Sequence, residues 1–236
     1  MKLLIIIPTL NEEKNISLLL KKIIKLKIKL TVLIIDDNSE DSTRKIITSF
    51  HKKFTFIKYI YRSKRLGIGS AHKEGFKWAI QNKFDFCITM DADLTHNPIM
   101  IKNMLKIISS KKYSIINTSR FIKKNSLEGW PLSRKLLTYI RFYLVKILLS
   151  TKFDSSGGFR CYNLKKIKSK LLLAKNNSYF FLIESLFYLE KSGFKITEIS
   201  ITLPYRLYGS SKMRVRDIID SLLNLFKLRI KFFFQK

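Results

Sequence analysis

The sequence predicts an α/β protein built on a mainly parallel central sheet flanked by helices, and three observations carry that prediction. Short apolar runs at Leu3–Ile7, Val32–Ile35, Phe56–Ile60, Phe84–Met90 and Ser114–Ile116 recur through the first half of the chain. Between them lie segments whose apolar residues repeat every three to four positions, as in helices that cross between parallel strands. The 236 residues include only 4 Pro and 8 Gly, with no internal repeat and no linker, so one large domain is expected.

In order along the chain, the first helix carries Ile16, Leu19, Leu20, Ile23 and Ile24 on one stripe with lysines opposite, which packs it on the sheet. Further helices are expected over 41–53, 69–81 and 98–110, the last opened by Asn97 as N-cap and Pro98 in the first turn. After Arg120 the alternation stops. Trp130 to Ser150 reads as one long, strongly apolar helix, either buried beneath the C-terminal segment or lying on a membrane surface. Arg214 to Lys236 sets Ile218, Ile219, Leu222, Leu223, Phe226, Ile230 and Phe233 against Arg216, Lys227, Arg229 and Lys231. That amphipathic basic pattern suits an interfacial anchor ending in Phe232–Phe234, and equally core packing or a partner membrane protein.

The formal charge of +29, from 46 Lys plus Arg against 17 Asp plus Glu, would by itself propose a nucleic-acid binder. The excess is spread over the whole chain among Ile, Leu and Phe, as an AT-rich genome would produce, so no nucleic-acid partner is expected. Attraction to anionic lipid headgroups follows either way. Cys87 and Cys161 follow no metal-ligand spacing, which points to a reducing, cytosolic setting. Leu3–Ile7 falls far short of the about 20 apolar residues a span needs, so a peripheral protein without a spanning helix is expected.

The stretch MDADLTHNP, Met90 to Pro98, places Asp91 and Asp93 where the fourth apolar run ends, on one side of the backbone. Mg²⁺ and Mn²⁺ prefer carboxylate oxygens and share their shell with substrate phosphates, so the pair suits a metal that holds a diphosphate; solvation of a strand end is the bland alternative. IIIPTLNEE and LIIDDNSEDST end the first two runs, and ligands bind at strand ends in open α/β sheets. Asp37 there can accept hydrogen bonds from a ribose or a base edge, whereas Asp41 and Ser42 fit a helix cap. Gly67 and Gly69 in RLGIGSAHKEG allow close backbone approach to a ligand. No Walker lysine motif and no strand-adjacent Gly-x-Gly-x-x-Gly is present, against P-loop and dinucleotide readings. His51, His72 and His96 offer no general base, His96 fitting a support of the metal loop, and Glu184 in FFLIES would orient an arginine or touch sugar.

Taken in order, PTLNEE, IIDDNSEDST, LGIGSA, MDADLTHNP, NTSRF, SSGGFRCY and PYRLYGSSKM resemble the motifs of polyprenyl-phosphate (dolichol-phosphate) mannosyltransferases, which are inverting family 2 glycosyltransferases of GT-A fold. The resemblance implies a GT-A domain over 1–213, with 214–236 a helix of the same single-domain chain. It implies that Pro8, Leu10, Glu12, Ile35 and Asp37 line the nucleotide pocket and that Asp91, Ala92 and Asp93 face metal and diphosphate. Arg206 and Lys212 would close a mobile basic segment over the diphosphate, and Arg120, Arg134 and Thr138 would grip the acceptor's phosphate. Leu10 replaces a common tyrosine, which loosens the inference about the base. Thr95 stands where glutamine or serine is common, and its hydroxyl can still serve the metal, Mg²⁺ or Mn²⁺. The activity implied is transfer of a hexose, mannose from GDP-mannose, to a polyprenyl phosphate at the cytoplasmic face of a membrane, with the membrane surface or a small membrane subunit as partner. A UDP-sugar such as UDP-glucose, or a saccharide acceptor, is the alternative. A phosphate monoester is already anionic at neutral pH and needs no general base.

Overall fold

The computed structural model of the chain describes residues 1–206, 208–209 and 212–233. Strands β1 (Leu3–Thr9), β2 (Thr31–Asp36), β3 (Ile57–Tyr61), β4 (Phe86–Thr89) and β5 (Ile115–Ser119) alternate with helices α1 (Glu13–Ile24), α2 (Thr43–Lys53), α3 (Ile68–Gln81) and α4 (Met100–Ser109). The chain continues through β6 (Leu127–Glu128), α5 (Leu132–Leu149), β7 (Arg160–Asn163), α6 (Leu164–Ile167), α7 (Phe181–Lys191), β8 (Ile196–Ser200), β9 (Leu203–Pro204) and α8 (Val215–Phe233). The seven-stranded sheet runs β3-β2-β1-β4-β7-β5-β8, with β7 antiparallel to both its neighbours, and β6 and β9 form a separate parallel pair.

The alternation of β1 explains the layering. Leu3, Ile5 and Ile7 point into one core with Ile16, Leu19, Leu20 and Ile23 of α1 and Ile101, Met104 and Ile108 of α4. Leu4 and Ile6 point into the other, with Ala71, Phe76 and Ala79 of α3 and Leu186 and Leu189 of α7. Both faces are covered, so the parallel strands read as continuous apolar runs. Gly75 lets α3 lie directly on the sheet, since a Cβ there would come within 2.7 Å of Ile6 Cγ2.

The chain order reverses between β1 and β4, because β2 and β3 build outward on one side and β4 joins on the other. A crevice therefore opens at the carboxyl ends of these two strands. The fourth strand is shorter than its apolar run: Asp85 leaves the ladder to accept from Lys2 N–H at 2.7 Å and to pair with Lys165 at 2.8 Å. Helix α4 starts at Met100 with Ile99 at its N-cap position, two residues later than expected, because Asn97 and Pro98 form a turn before it in which Asn97 Oδ1 accepts from Ile99 N–H at 3.1 Å.

The 130–150 helix is buried beneath the C-terminal segment along part of its length only. Val145 and Leu149 of α5 pack with Leu225 and Leu228 of α8 and Phe180, Ile183 and Phe187. Leu132, Leu136, Leu137, Ile140, Tyr143 and Ile147 remain exposed, as do Ile218, Ile219, Leu222, Leu223, Phe226 and Ile230. Phe232 turns inward, edge-on to Phe187 at 4.6 Å, which corrects its expected place on the anchor; residues 234–236 lie outside the described residues. No helix among the described residues is long and apolar enough to cross a membrane.

His72 of α3 is fully buried between Phe76 and Phe181, with neither ring nitrogen hydrogen-bonded. Burial, and then the charge of Arg160, lower its pKa from 6.5 to about 3. Its neutral form thus stabilises the fold fully above pH 6.5, and that contribution is lost as pH falls from 6.5 towards 3, by at most roughly 1.4 kcal/mol per pH unit. Thermal melting of His72→Phe against wild type should show the variant losing less stability over that window; parallel curves would contradict the buried neutral imidazole.

Candidate active site

Loops from four elements meet in a cavity of about 640 Å³ over the β1/β4 crevice. Pro8 and Thr9 end β1 and Leu10 and Glu12 follow it, Asp37 follows β2, and Asp91, Ala92 and Asp93 follow β4. Arg206, Lys212 and the start of α8, with Arg214, Arg216, Asp217 and Asp220, close the opposite wall.

The acidic loop is held tightly. Leu94 sits at φ +67°, a left-handed conformation unusual for leucine, and carries the chain round between Asp93 and Thr95. Thr95 N–H and Oγ1 both donate to Asp93 Oδ1, at 3.1 and 2.6 Å. Arg206 Nη2 donates to Asp93 Oδ2 at 2.6 Å, and its Nη1 lies 4.0 Å from Glu12. His96 Nδ1 accepts from Asp91 N–H at 3.0 Å, which fixes its tautomer and leaves Nε2 3.8 Å from Asp91 Oδ2. Burial, with the like charge of Asp93, raises the Asp91 pKa. Burial would raise Asp93 too, yet Arg206, His96 and the Thr95 hydrogen bonds lower it. Glu12 is raised by burial, against a 2.6 Å hydrogen bond from Asn15 and the charge of Arg206.

On the wall that follows β2, Asp37 is already engaged. Its Oδ1 accepts from Leu66 N–H and Arg62 Nη1 at 2.8 and 2.9 Å, and its Oδ2 from Gly67 N–H at 2.8 Å. Arg62 also donates to Glu74 at 2.7 Å. The glycines answer a neighbouring loop more than a ligand: Cβ atoms at Gly67 and Gly69 would strike the backbone of Asn176–Ser178. Glu184 holds that same loop, accepting from Lys175 and Asn176 N–H at 3.0 and 2.9 Å, and so neither orients an arginine nor reaches the cavity.

A second polar group lies off the end of β5. Arg120 makes a two-pronged pair with Asp154, at 2.9 Å from Nε and 2.7 Å from Nη2, and also donates to Ser156. Arg134 lies over Trp130 at 4.4 Å and Tyr205 at 5.7 Å, and Thr138 is buried one turn further along α5, donating to Arg134 O. Arg120 feels the charge of Asp91, so the two groups adjoin.

Of the residues expected from sequence, Pro8, Leu10, Glu12, Asp37, Asp91, Ala92, Asp93, Arg206 and Lys212 line one cavity. Ile35 does not: its side chain is fully buried in the sheet core against α3, because it points away from the strand end. Thr95 backs Asp93 from outside the cavity. Sequence reasoning missed Arg62, Asp154 and Tyr179. Tyr179 lines the cavity, its phenol pushed up to about 12 by burial and by Asp91 and Asp217.

The fold is that of GT-A glycosyltransferases. It matches mannosyl-3-phosphoglycerate synthase from Rubrobacter xylanophilus with a TM-score of 0.69 at 15% identity, over all of this chain and 76% of that one. It matches glucosyl-3-phosphoglycerate synthase from Mycobacterium tuberculosis, solved with Mn²⁺ and UDP-glucose, with a TM-score of 0.66 at 15% identity, over 95% and 78%. The model of glycosyl transferase family 2 matches residues 4–169, and the chain belongs to that family: it is a glycosyltransferase. It is 27% identical to undecaprenyl-phosphate mannosyltransferase of Micrococcus luteus, over 95% of this chain and 93% of that one. To polyprenol monophosphomannose synthase of Mycolicibacterium smegmatis it is 26% identical, over 93% and 83%.

Arg62 joins β3 to the Asp37 loop, and removing one partner of a buried pair leaves the other charge uncompensated. We expect Arg62→Met to lose about 3–5 kcal/mol in urea unfolding, and Glu74→Gln far less, since Glu74 is 39% exposed. Equal losses would show that Asp37 does not need the arginine.

Proposed function

We propose that this glycosyltransferase moves mannose from GDP-mannose to a polyprenyl phosphate, inverting the anomeric configuration. The observation that carries the reading is the pairing of two adjoining groups of opposite sense: Asp91 and Asp93 in the cavity, and Arg120 and Arg134 beside it. Relatives over nearly the whole chain are named an undecaprenyl-phosphate mannosyltransferase and a polyprenol monophosphomannose synthase, which supports the mannose and lipid-phosphate part of the reading.

The donor half fits a hard divalent cation, Mg²⁺ or Mn²⁺. Two carboxylates face one cavity, the guanidinium of Arg206 already stands against Asp93, and Gly158 leaves room where a Cβ would lie 3.3 Å from Asp91 Oδ1. Among the described residues no third His, Cys, Asp or Glu completes a cluster, which suits an ion sharing its shell with diphosphate oxygens. Asp91 and Asp93 would hold it, with Thr95 fixing Asp93. When bound it supplies charge to the departing diphosphate. Arg206 and Lys212 add theirs from the opposite wall. An oxygen of the lipid phosphate bonds to the anomeric carbon as the bond from that carbon to the diphosphate oxygen breaks. GDP leaves and a β-linked lipid phosphosugar forms.

Two observations favour this acceptor over a saccharide, which would need a base. His96 Nδ1 is occupied by Asp91 N–H, and Asp217 of the far wall accepts from Arg214 N–H at 2.7 Å. The second reading, a UDP-sugar donor, draws on Leu10, where an aromatic contact is lacking. Label from GDP-mannose should enter a short polyprenyl phosphate with Mg²⁺ or Mn²⁺ present, and fall by at least about a hundredfold in Asp93→Asn, as for loss of a transition-state charge contact. UDP-glucose as sole donor would replace the donor, and no lipid product from either would replace the acceptor.

We further propose that the exposed apolar faces of α5 and α8 rest in a membrane interface. A contiguous apolar surface of that extent marks an interaction site, and Lys227, Arg229 and Lys231 of α8 suit anionic headgroups. Phe226→Glu with Ile230→Glu should weaken co-sedimentation with anionic liposomes while GDP-mannose binding persists; undiminished co-sedimentation would remove the anchor.

A further inference from the structure

Arg141 lies seven residues beyond Arg134 and three beyond Thr138 on α5, so all three share one face of the helix. That face is turned to the end of β5. Thr138 is buried there, and Phe142, next to Arg141, stacks at 3.8 Å on Phe121, over which the Arg120 guanidinium lies at 5.4 Å. Unlike Arg120, Arg141 has no carboxylate of its own: its Nε is buried with no hydrogen-bond partner. A half-buried guanidinium whose Nε is shut off from water with no acceptor is costly. Burial first, then the charge of Arg120, lowers its pKa to about 10, so it stays charged at neutral pH.

The local charges decide what would satisfy it. Arg120 and Arg134 both act on Arg141, and the one carboxylate that does so, Asp154, is already held by Arg120 in its two-pronged pair. The next carboxylate, Glu198, accepts from Asn117 Nδ2 and from Asp154 N–H. A phosphate monoester carries about −1.5 to −2 at pH 7. We propose that Arg141 is a third arginine of the acceptor-phosphate subsite, giving it the charge and donors to hold a phosphate monoester dianion. The assignment rests on the reading that the acceptor is a polyprenyl phosphate, and it makes a diester or a neutral alcohol a poor acceptor.

Two variants test it in the full chain. In Arg141→Met the KM for a short polyprenyl phosphate should rise roughly tenfold to a hundredfold, the range of a lost charged hydrogen bond. The KM for GDP-mannose should hold and the Tm should stay level or rise, since an Nε shut off from water with no acceptor is gone. Arg141→Lys, which keeps the charge and loses the fork, should fall between. An unchanged acceptor KM, a rise shared by both substrates, or a Tm below wild type would each overturn the assignment. Should wild type transfer to no lipid phosphate, the functional reading fails, and inorganic phosphate then tests the subsite alone. It should raise the Tm of wild type and not that of Arg141→Met, and equal effects on both would remove Arg141 from the site.

Discussion

Two like charges held side by side at the end of β4 constrain everything around them. Where Asp91 and Asp93 leave the sheet, burial and the charge of Asp93 make Asp91 harder to ionise, while Arg206, His96 and the Thr95 hydrogen bonds let Asp93 ionise more readily. Arg206 reaches across the cavity to Asp93, His96 anchors the loop from below, and Thr95 clamps one carboxylate oxygen. The loop accepts a left-handed leucine to hold this shape, a local cost that the packed surroundings offset.

The neighbouring half of the site has the opposite imbalance. Arg141 stands beside Arg120 and Arg134 and shares with them one carboxylate, Asp154, which Arg120 already holds. On the proposed reading, a donor half that presents Asp91 and Asp93 and an acceptor half that presents arginines meet between Asp91 and Arg120. That juxtaposition favours bringing a metal-bound diphosphate and an anionic nucleophile together without a proton-transferring side chain. If the exposed faces of α5 and α8 rest in a membrane interface, as proposed, they set these arginines beside the surface from which a lipid would come.

Much of this was legible in the sequence, for physical reasons that can be named. The runs Leu3–Ile7 and Val32–Ile35 are apolar throughout because both sheet faces are covered, and the carboxylates of Asp37, Asp91 and Asp93 mark where those strands stop. What escaped were pairings made across the chain. Arg62 with Asp37 and Arg120 with Asp154 join residues 25 and 34 positions apart, and no periodicity records them. Strand β7 was missed because Arg160 is fully buried in it, satisfied by Asn117, Leu182 and Ser155, where a charged residue argues against a central strand. Gly67 and Gly69 were read correctly as sites of close approach, but the approaching chain is residues 176–178. Ile35 was one residue short of the strand end, and the alternation of a strand turned its side chain into the core.

The central claim is that the paired aspartates act with a divalent ion shared with the donor's diphosphate. The direct measurement is Mn²⁺ binding followed by electron paramagnetic resonance, with and without GDP-mannose, in wild type and Asp93→Asn. Weak binding of Mn²⁺ alone, tightened at least about tenfold by the nucleotide sugar and lost in the variant, is the result predicted, since an ion held by two carboxylates needs phosphate oxygens to fill its shell. GDP-mannose binding that is indifferent to Mn²⁺ and to EDTA would contradict it.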